Sequence, residues 1–105
     1  MLESSYQAKL IKQLRRLFPG AIILRNDAGY IQGVPDLTIL YGTRWAALEV
    51  KASANARERP NQRYYVAKWD EMSFAAFIYP ENEDEVLNEL QLAFAVEGDA
   101  RPSRG

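Results

Sequence analysis

The stretch "GVPDLTILYGTRWAALEVK", residues 33–51, decides the fold. It is a mostly apolar run that carries acids at Asp36 and Glu49 and an amine at Lys51. "VPDLTILY" and "RWAALEV" both have strand composition, rich in aliphatic and aromatic residues and bounded by turn formers. The connection around "YGTR" is short enough for a tight hairpin centred on Gly42 and Thr43. In such a hairpin Tyr41 faces Arg44. Counting outward, Asp36 then faces Glu49, with Cβ atoms roughly 4.5–5.5 Å apart. Strand side chains alternate, so Lys51 shares the face of Glu49 while Leu48 and Val50 point the other way, towards a core. A three-residue connection would slip the register by one and break the pair.

Like charges placed opposite one another repel, so something positive belongs between these two acids. The chain has no Cys and no His, which excludes Cys/His zinc sites, thiol catalysis and a histidine base. Any metal must be a hard, oxygen-preferring ion. Two carboxylates and a nearby backbone carbonyl, here that of Val50, offer the ligands that Mg²⁺ accepts while keeping several waters. Lys51 is the group left to orient a water or help deprotonate it. The chemistry implied is metal-assisted phosphodiester hydrolysis. The competing reading makes Asp36 a solvated turn acid and Glu49 to Lys51 a chance E-x-K; it fails to explain an acid in register across a centred hairpin.

The rest of the chain frames this hairpin. Ser4 and Ser5 are candidate N-caps for a helix over 4–18, in which Tyr6, Leu10, Leu14 and Leu17 share a face and "PG" at Pro19 and Gly20 ends the run. "AIILR" reads as a short buried strand and "NDAGYIQG" as a loop. After the polar loop "ASANARERP", Pro60 suits a first helical turn and "NQRYYVAKWDEM" continues a second helix. "FAAFIY" is a fourth strand, and Asn82 can cap a third helix, "EDEVLNELQLAF". The order α, β, β, β, α, β, α predicts an α/β sandwich around a mixed sheet flanked by helices. One domain is expected over residues 1–96, with a disordered tail over 97–105.

Composition is that of a globular protein, 48% hydrophobic and 26% charged, with no apolar run near the roughly 20 residues that span a bilayer. The opening "MLESSYQAKL" does not have the basic-then-apolar order of a signal peptide, so a cytoplasmic setting is expected. The net charge of -1 conceals an asymmetry: residues 1–70 hold 11 Lys/Arg against 6 Asp/Glu, and residues 71–105 hold 2 against 8. A basic body leaves a polyanionic partner open.

"PD" at Pro35 and Asp36 with "EVK" at Glu49–Lys51 resembles the signature of the PD-(D/E)xK nucleases, whose restriction-endonuclease-like core runs α-β-β-β-α-β. Within that superfamily, "ESSYQAKLIKQL", "LRNDAGYIQGVPDLTIL", "ALEVK" and "RPNQ" are similar to virus-type replication-repair nuclease domains and to phage and archaeal Holliday-junction resolvases. The resemblance covers residues 3 to 79. It implies metal-binding acids at Asp36 and Glu49, a catalytic lysine at Lys51, and Mg²⁺ as cofactor with Mn²⁺ as substitute. Glu3 matches an acid that many members contribute from the first helix, or is a helix-start acid favoured by the dipole. Gln62 matches a glutamine near the site in many members, or is an exposed helix residue. Lys9, Arg25, Asn26, Arg57, Arg59 and Arg63 are candidate DNA contacts, or cations that serve solubility. Tyr64, Tyr65 and Trp69 read as packing residues.

The activity implied is that of an endonuclease cutting branched or structured DNA in repair or recombination, in a phage or mobile-element setting. Cutting a junction symmetrically takes two copies of a 12.0 kDa unit, so a homodimer is expected. The rival is a non-catalytic module that binds nucleic acid or protein on the same fold.

Overall fold

The structure is a computed structural model that describes residues 1–27 and 29–95; the expected tail over 97–105 lies outside the described residues. Its elements are α1 (Glu3–Leu17), β1 (Ile22–Arg25), β2 (Leu37–Tyr41), β3 (Arg44–Val50), α2 (Gln62–Met72), β4 (Phe74–Ile78), a 3-10 turn (Pro80–Asn82) and α3 (Glu83–Ala95). The four strands form one sheet in the order β1-β2-β3-β4. β1/β2 and β2/β3 are antiparallel, and β3/β4 is parallel. The parallel pair requires a crossover, which α2 supplies. The result is the α/β sandwich with a mixed sheet that the sequence predicts.

The hairpin is centred. Tyr41 pairs with Arg44 and Leu37 with Leu48, leaving Gly42 and Thr43 as a two-residue loop. Gly42 has φ 64, and Thr43 is not among the positive-φ residues. That is the pattern of a II′ turn, which needs glycine at its first central position. With the register fixed, alternation sorts the side chains into two cores. Leu37, Ile39, Ala46, Leu48, Val50 and Ile78 pack against Tyr6, Leu10 and Leu14 of α1 and Val86, Leu87 and Leu90 of α3. On the opposite face Ala47 and Ala75 meet Val66 of α2, flanked by Trp45, Trp69 and Phe77. At one end Phe18, Tyr41 and Phe94 close the larger core, with ring centroids 5.1–5.5 Å apart.

Local details depart from the sequence reading where tertiary packing overrides it. Helix α1 begins at Glu3 with Leu2 at the N-cap and no side-chain cap, so Ser4 and Ser5 lie within its first turn. β1 is an edge strand rather than a buried one: Ile22 is 57% and Leu24 45% exposed, because α2 covers only the β3/β4 half of its face. Pro60 falls outside α2, whose N-cap Asn61 adopts a left-handed conformation. Asn82 does not cap α3 with its side chain; its amide ties down the end of β4, accepting from Tyr79 N–H and donating to the Phe77 carbonyl.

Leu48 is fully buried between the sheet and α1/α3. Leu48→Ala is expected to lower unfolding free energy by about 2–5 kcal/mol, measured by urea denaturation. Loss below about 1 kcal/mol would mean that the larger core is not organised around β3.

Candidate active site

The hairpin carries Asp36 and Glu49 to the sheet face that α2 covers. β2 begins at Leu37, and Asp36 lies in a bend just before it, where its carboxylate still binds β3: Oδ2 accepts from Val50 N–H at 2.9 Å. Asn26 fixes the same segment from the other side. Its N–H donates to the Asp36 carbonyl at 2.8 Å, and its Nδ2 donates to the Pro35 carbonyl and Thr38 Oγ1, both at 2.8 Å.

Glu49 and Lys51, one β-period apart, are 1% and 4% exposed, and Gln62 at the start of α2 is also buried. Gln62 joins the other two. Its Nε2 donates to Glu49 Oε2 at 2.9 Å, and its Oε1 accepts from Lys51 Nζ at 2.7 Å and from Arg59 N–H at 2.8 Å. Lys51 Nζ also donates to the Arg57 carbonyl at 3.0 Å and lies 3.9 Å from Glu49 Oε2. Two of the three ammonium hydrogens are thereby committed.

Glu49 Oε1 is buried with no hydrogen-bond partner. The neighbouring Asp36 carboxyl can supply only a lone pair unless a proton stands between the two. Burial first, then the charge of Asp36 and hydrogen-bonding contact with its carboxyl, push Glu49 up to about 9; Lys51 acts in the opposite sense, and Glu3 adds to the rise. The two acids therefore hold a proton between them at neutral pH, the usual response of carboxylates that share a space.

Asp36, Glu49, Lys51 and Gln62 are thus brought together. Glu3, half-buried in the first turn of α1, reaches Glu49 through its charge alone, and among the described residues no group of three or more His, Cys, Asp or Glu is gathered for a metal. Lys51 N–H donates to the Ile78 carbonyl on the β4 side, so the peptide groups of Val50 point the other way, towards Asp36.

The candidate DNA contacts divide. Arg57 and Arg59 are exposed on the segment whose backbone holds Lys51 and Gln62. Arg63 is paired with Glu58 and lies over the Phe77 ring. Asn26 is occupied in holding Asp36. Arg25 is exposed at the end of β1. Lys9 lines a groove between α1 and α3 that also contains Glu83 and Asp84.

Tyr65 and Trp69 are half-buried and meet edge to face at 6.4 Å, with Trp45 continuing the contact, as packing residues do. Tyr64 is 61% exposed. The Arg57 carbonyl and the Arg59 amide complete the site from the main chain, and backbone groups leave no signature in the side-chain sequence. No helix among the described residues is long and apolar enough to cross a membrane. Comparisons with protein families, with curated proteins and with solved structures gave no match to this chain.

The proton on Glu49 sets a pH dependence. The folded pKa of about 9 stands above the ordinary value of 4.5, so the native state binds a proton that the unfolded chain releases. Stability of the metal-free protein is expected to fall as pH rises from about 4.5 to about 9, with a slope of at most about 1.4 kcal/mol per pH unit. In Glu49→Gln that component of the slope disappears. Urea melts of both proteins across this range, in EDTA, measure the difference.

Proposed function

We propose that the chain is a divalent-metal-dependent endonuclease of the PD-(D/E)xK type, hydrolysing phosphodiester bonds in branched or structured DNA. The observation that carries this reading is the buried Glu49 Oε1, without a donor beside the Asp36 carboxyl and within one residue's reach of an anchored Lys51. A cation answers that arrangement better than a proton does, because it satisfies both carboxylates at once.

The donor set fits Mg²⁺, which is commonly held by one or two carboxylates while waters and substrate phosphate complete its shell. Asp36 and Glu49 would hold it, with the Val50 carbonyl on the same side, and Mn²⁺ would substitute. When bound, the ion would polarise a phosphoryl oxygen and make a coordinated water more acidic. The chain's own residues do the remaining work. Gln62 keeps Glu49 Oε2 and Lys51 Nζ in fixed relation, which pre-organises both. Lys51 has one N–H left to donate to a phosphate oxygen or to an attacking water. Arg57 and Arg59 supply phosphate contacts that position the backbone without reading sequence. The acidic α3 packs on the sheet face opposite α2, away from Gln62, which suits a polyanion approaching from the α2 side. Two copies acting as a homodimer would cut both strands of a junction.

The test is incubation of labelled four-way junction, flap and linear duplex with protein in Mg²⁺ or Mn²⁺, against EDTA. Metal-dependent product is expected from a branched substrate. Asp36→Asn or Glu49→Gln should each reduce the rate by about 10²-fold or more, with junction binding in EDTA retained. Mn²⁺ alone should raise the melting temperature of the wild type and leave that of Asp36→Asn unchanged. Absence of product from every substrate would reject the proposal, as would undiminished cutting by either variant.

A further inference from the structure

The Asp36 segment and the start of α2 meet at Gly33. This glycine is buried, with φ +97, and a Cβ built on it would stand 2.6 Å from Asn61 Cβ, 2.8 Å from Asn61 C and 3.0 Å from the Pro60 carbonyl oxygen. The Gly33 backbone therefore lies directly against the backbone and Cβ of Asn61, with no room for a side chain at position 33. Both partners are specialised for the contact. Gly33 is free to take a conformation closed to most residues. Asn61 has φ 70, the only positive φ of a non-glycine residue among the described residues, and asparagine is among the side chains that tolerate it best. The Asn61 carbonyl accepts from Tyr65 N–H at 3.0 Å, so its position sets that of the first turn of α2. The next residue is Gln62.

We propose that Gly33 is a positioning residue: its backbone contact with Asn61 seats the N-terminus of α2 so that Gln62 reaches Glu49 and Lys51 together. The role in catalysis rests on the nuclease reading above; the role in geometry does not. Gly33 lies three residues before Asp36, whose carboxylate is held by Val50 N–H, and Pro35 between them is fully buried. One end of this short segment thus fixes an acid, and the other fixes the glutamine that aligns the second acid with the lysine. A methyl group at position 33 must move Asn61 by about 1 Å to restore ordinary carbon contact. Asp36 and Glu49, tied through the hairpin, have no reason to follow.

The experiment compares Gly33→Ala, Gln62→Ala, the Gly33→Ala/Gln62→Ala pair and the Gly33→Ala/Asn61→Gly pair. The first readout needs no substrate: the side-chain amide resonances of Gln62 in nitrogen-proton correlation spectra. They are expected to shift in Gly33→Ala and to move only part of the way back when Asn61→Gly removes Asn61 Cβ, since the Asn61 carbonyl carbon at 2.8 Å and the positive φ of residue 33 still act. The second readout is single-turnover junction cleavage, expected to fall about 10- to 100-fold in Gly33→Ala. Adding Gly33→Ala to Gln62→Ala should cost less than about twofold more, because both act through one side chain. Unmoved Gln62 resonances in a folded Gly33→Ala protein would overturn the proposal, as would losses that multiply in the Gly33→Ala/Gln62→Ala pair. If Gly33→Ala does not fold, Asn61→Val, which disfavours the left-handed conformation from the other side of the contact, is expected to shift the Gln62 resonances in the same way, and unmoved resonances in that variant overturn the proposal. A wild type that cuts no DNA refutes the nuclease reading, while the Gln62 resonances still decide the role of Gly33.

Discussion

The two-residue turn at Gly42 and Thr43 fixes the register on which the remaining structure depends. Because strand side chains alternate strictly, the turn that sends Leu37 and Leu48 into the larger core also sends Asp36 and Glu49 to the other face. The apolar and acidic residues of the hairpin are therefore placed by a single choice. Moving the acids apart by a one-residue slip would turn either Leu37 and Ile39 or Leu48 and Val50 out of the core, at a cost far beyond the repulsion relieved. The core thus holds two carboxylates in a proximity that neither would adopt alone.

That enforced proximity determines the rest of the site. A carboxylate as buried as Glu49 is tolerated only with partners, and Gln62 is suited to the role because an amide both donates and accepts. It donates to Glu49 and accepts from Lys51, so an acid and an amine 3.9 Å apart are joined by a neutral group that satisfies each. A carboxylate in place of Gln62 would offer Glu49 no donor, and a lysine would leave Lys51 with the Arg57 carbonyl alone. The backbone of residues 57–59 completes the arrangement, supplying an acceptor to Lys51 and a donor to Gln62.

Those parts of this fold and site that depend on periodicity are legible in the sequence. The hairpin register and the side of the sheet taken by Glu49 and Lys51 follow from counting by twos, and Asp36, in a bend just before β2, comes near enough to Glu49 to act on its carboxyl. What depends on coverage is not: β1 has the apolar composition of a buried strand, yet its outer face stays exposed because α2 is set over β3 and β4. Ser4 has good capping chemistry, but Tyr6, Leu10 and Leu14 pack to the core from a helix that starts one residue earlier. The Arg57 carbonyl, the Arg59 amide and the Gly33–Asn61 contact lie furthest from view, since they involve main-chain atoms that any residue would carry. Glycine followed by an acid three positions later reads as a turn, and only the approach of a second backbone gives it a further role.

The cost of the arrangement bears on what it is for. Buried ionic groups are weak contributors to stability, and well-packed apolar residues of similar volume often serve as well or better. A chain needing only a nucleic-acid-binding surface could place cations on exposed loops and fill positions 49 and 51 with aliphatic residues. Instead it buries an acid, an amine and an amide, and leaves one carboxylate oxygen facing another carboxyl with no donor. Strained polar arrangements of this kind persist where something outside the chain completes them. On the nuclease reading proposed above, the asymmetry between Oε2, engaged by Gln62, and Oε1, left without a donor, is what a cation entering between the two acids would complete.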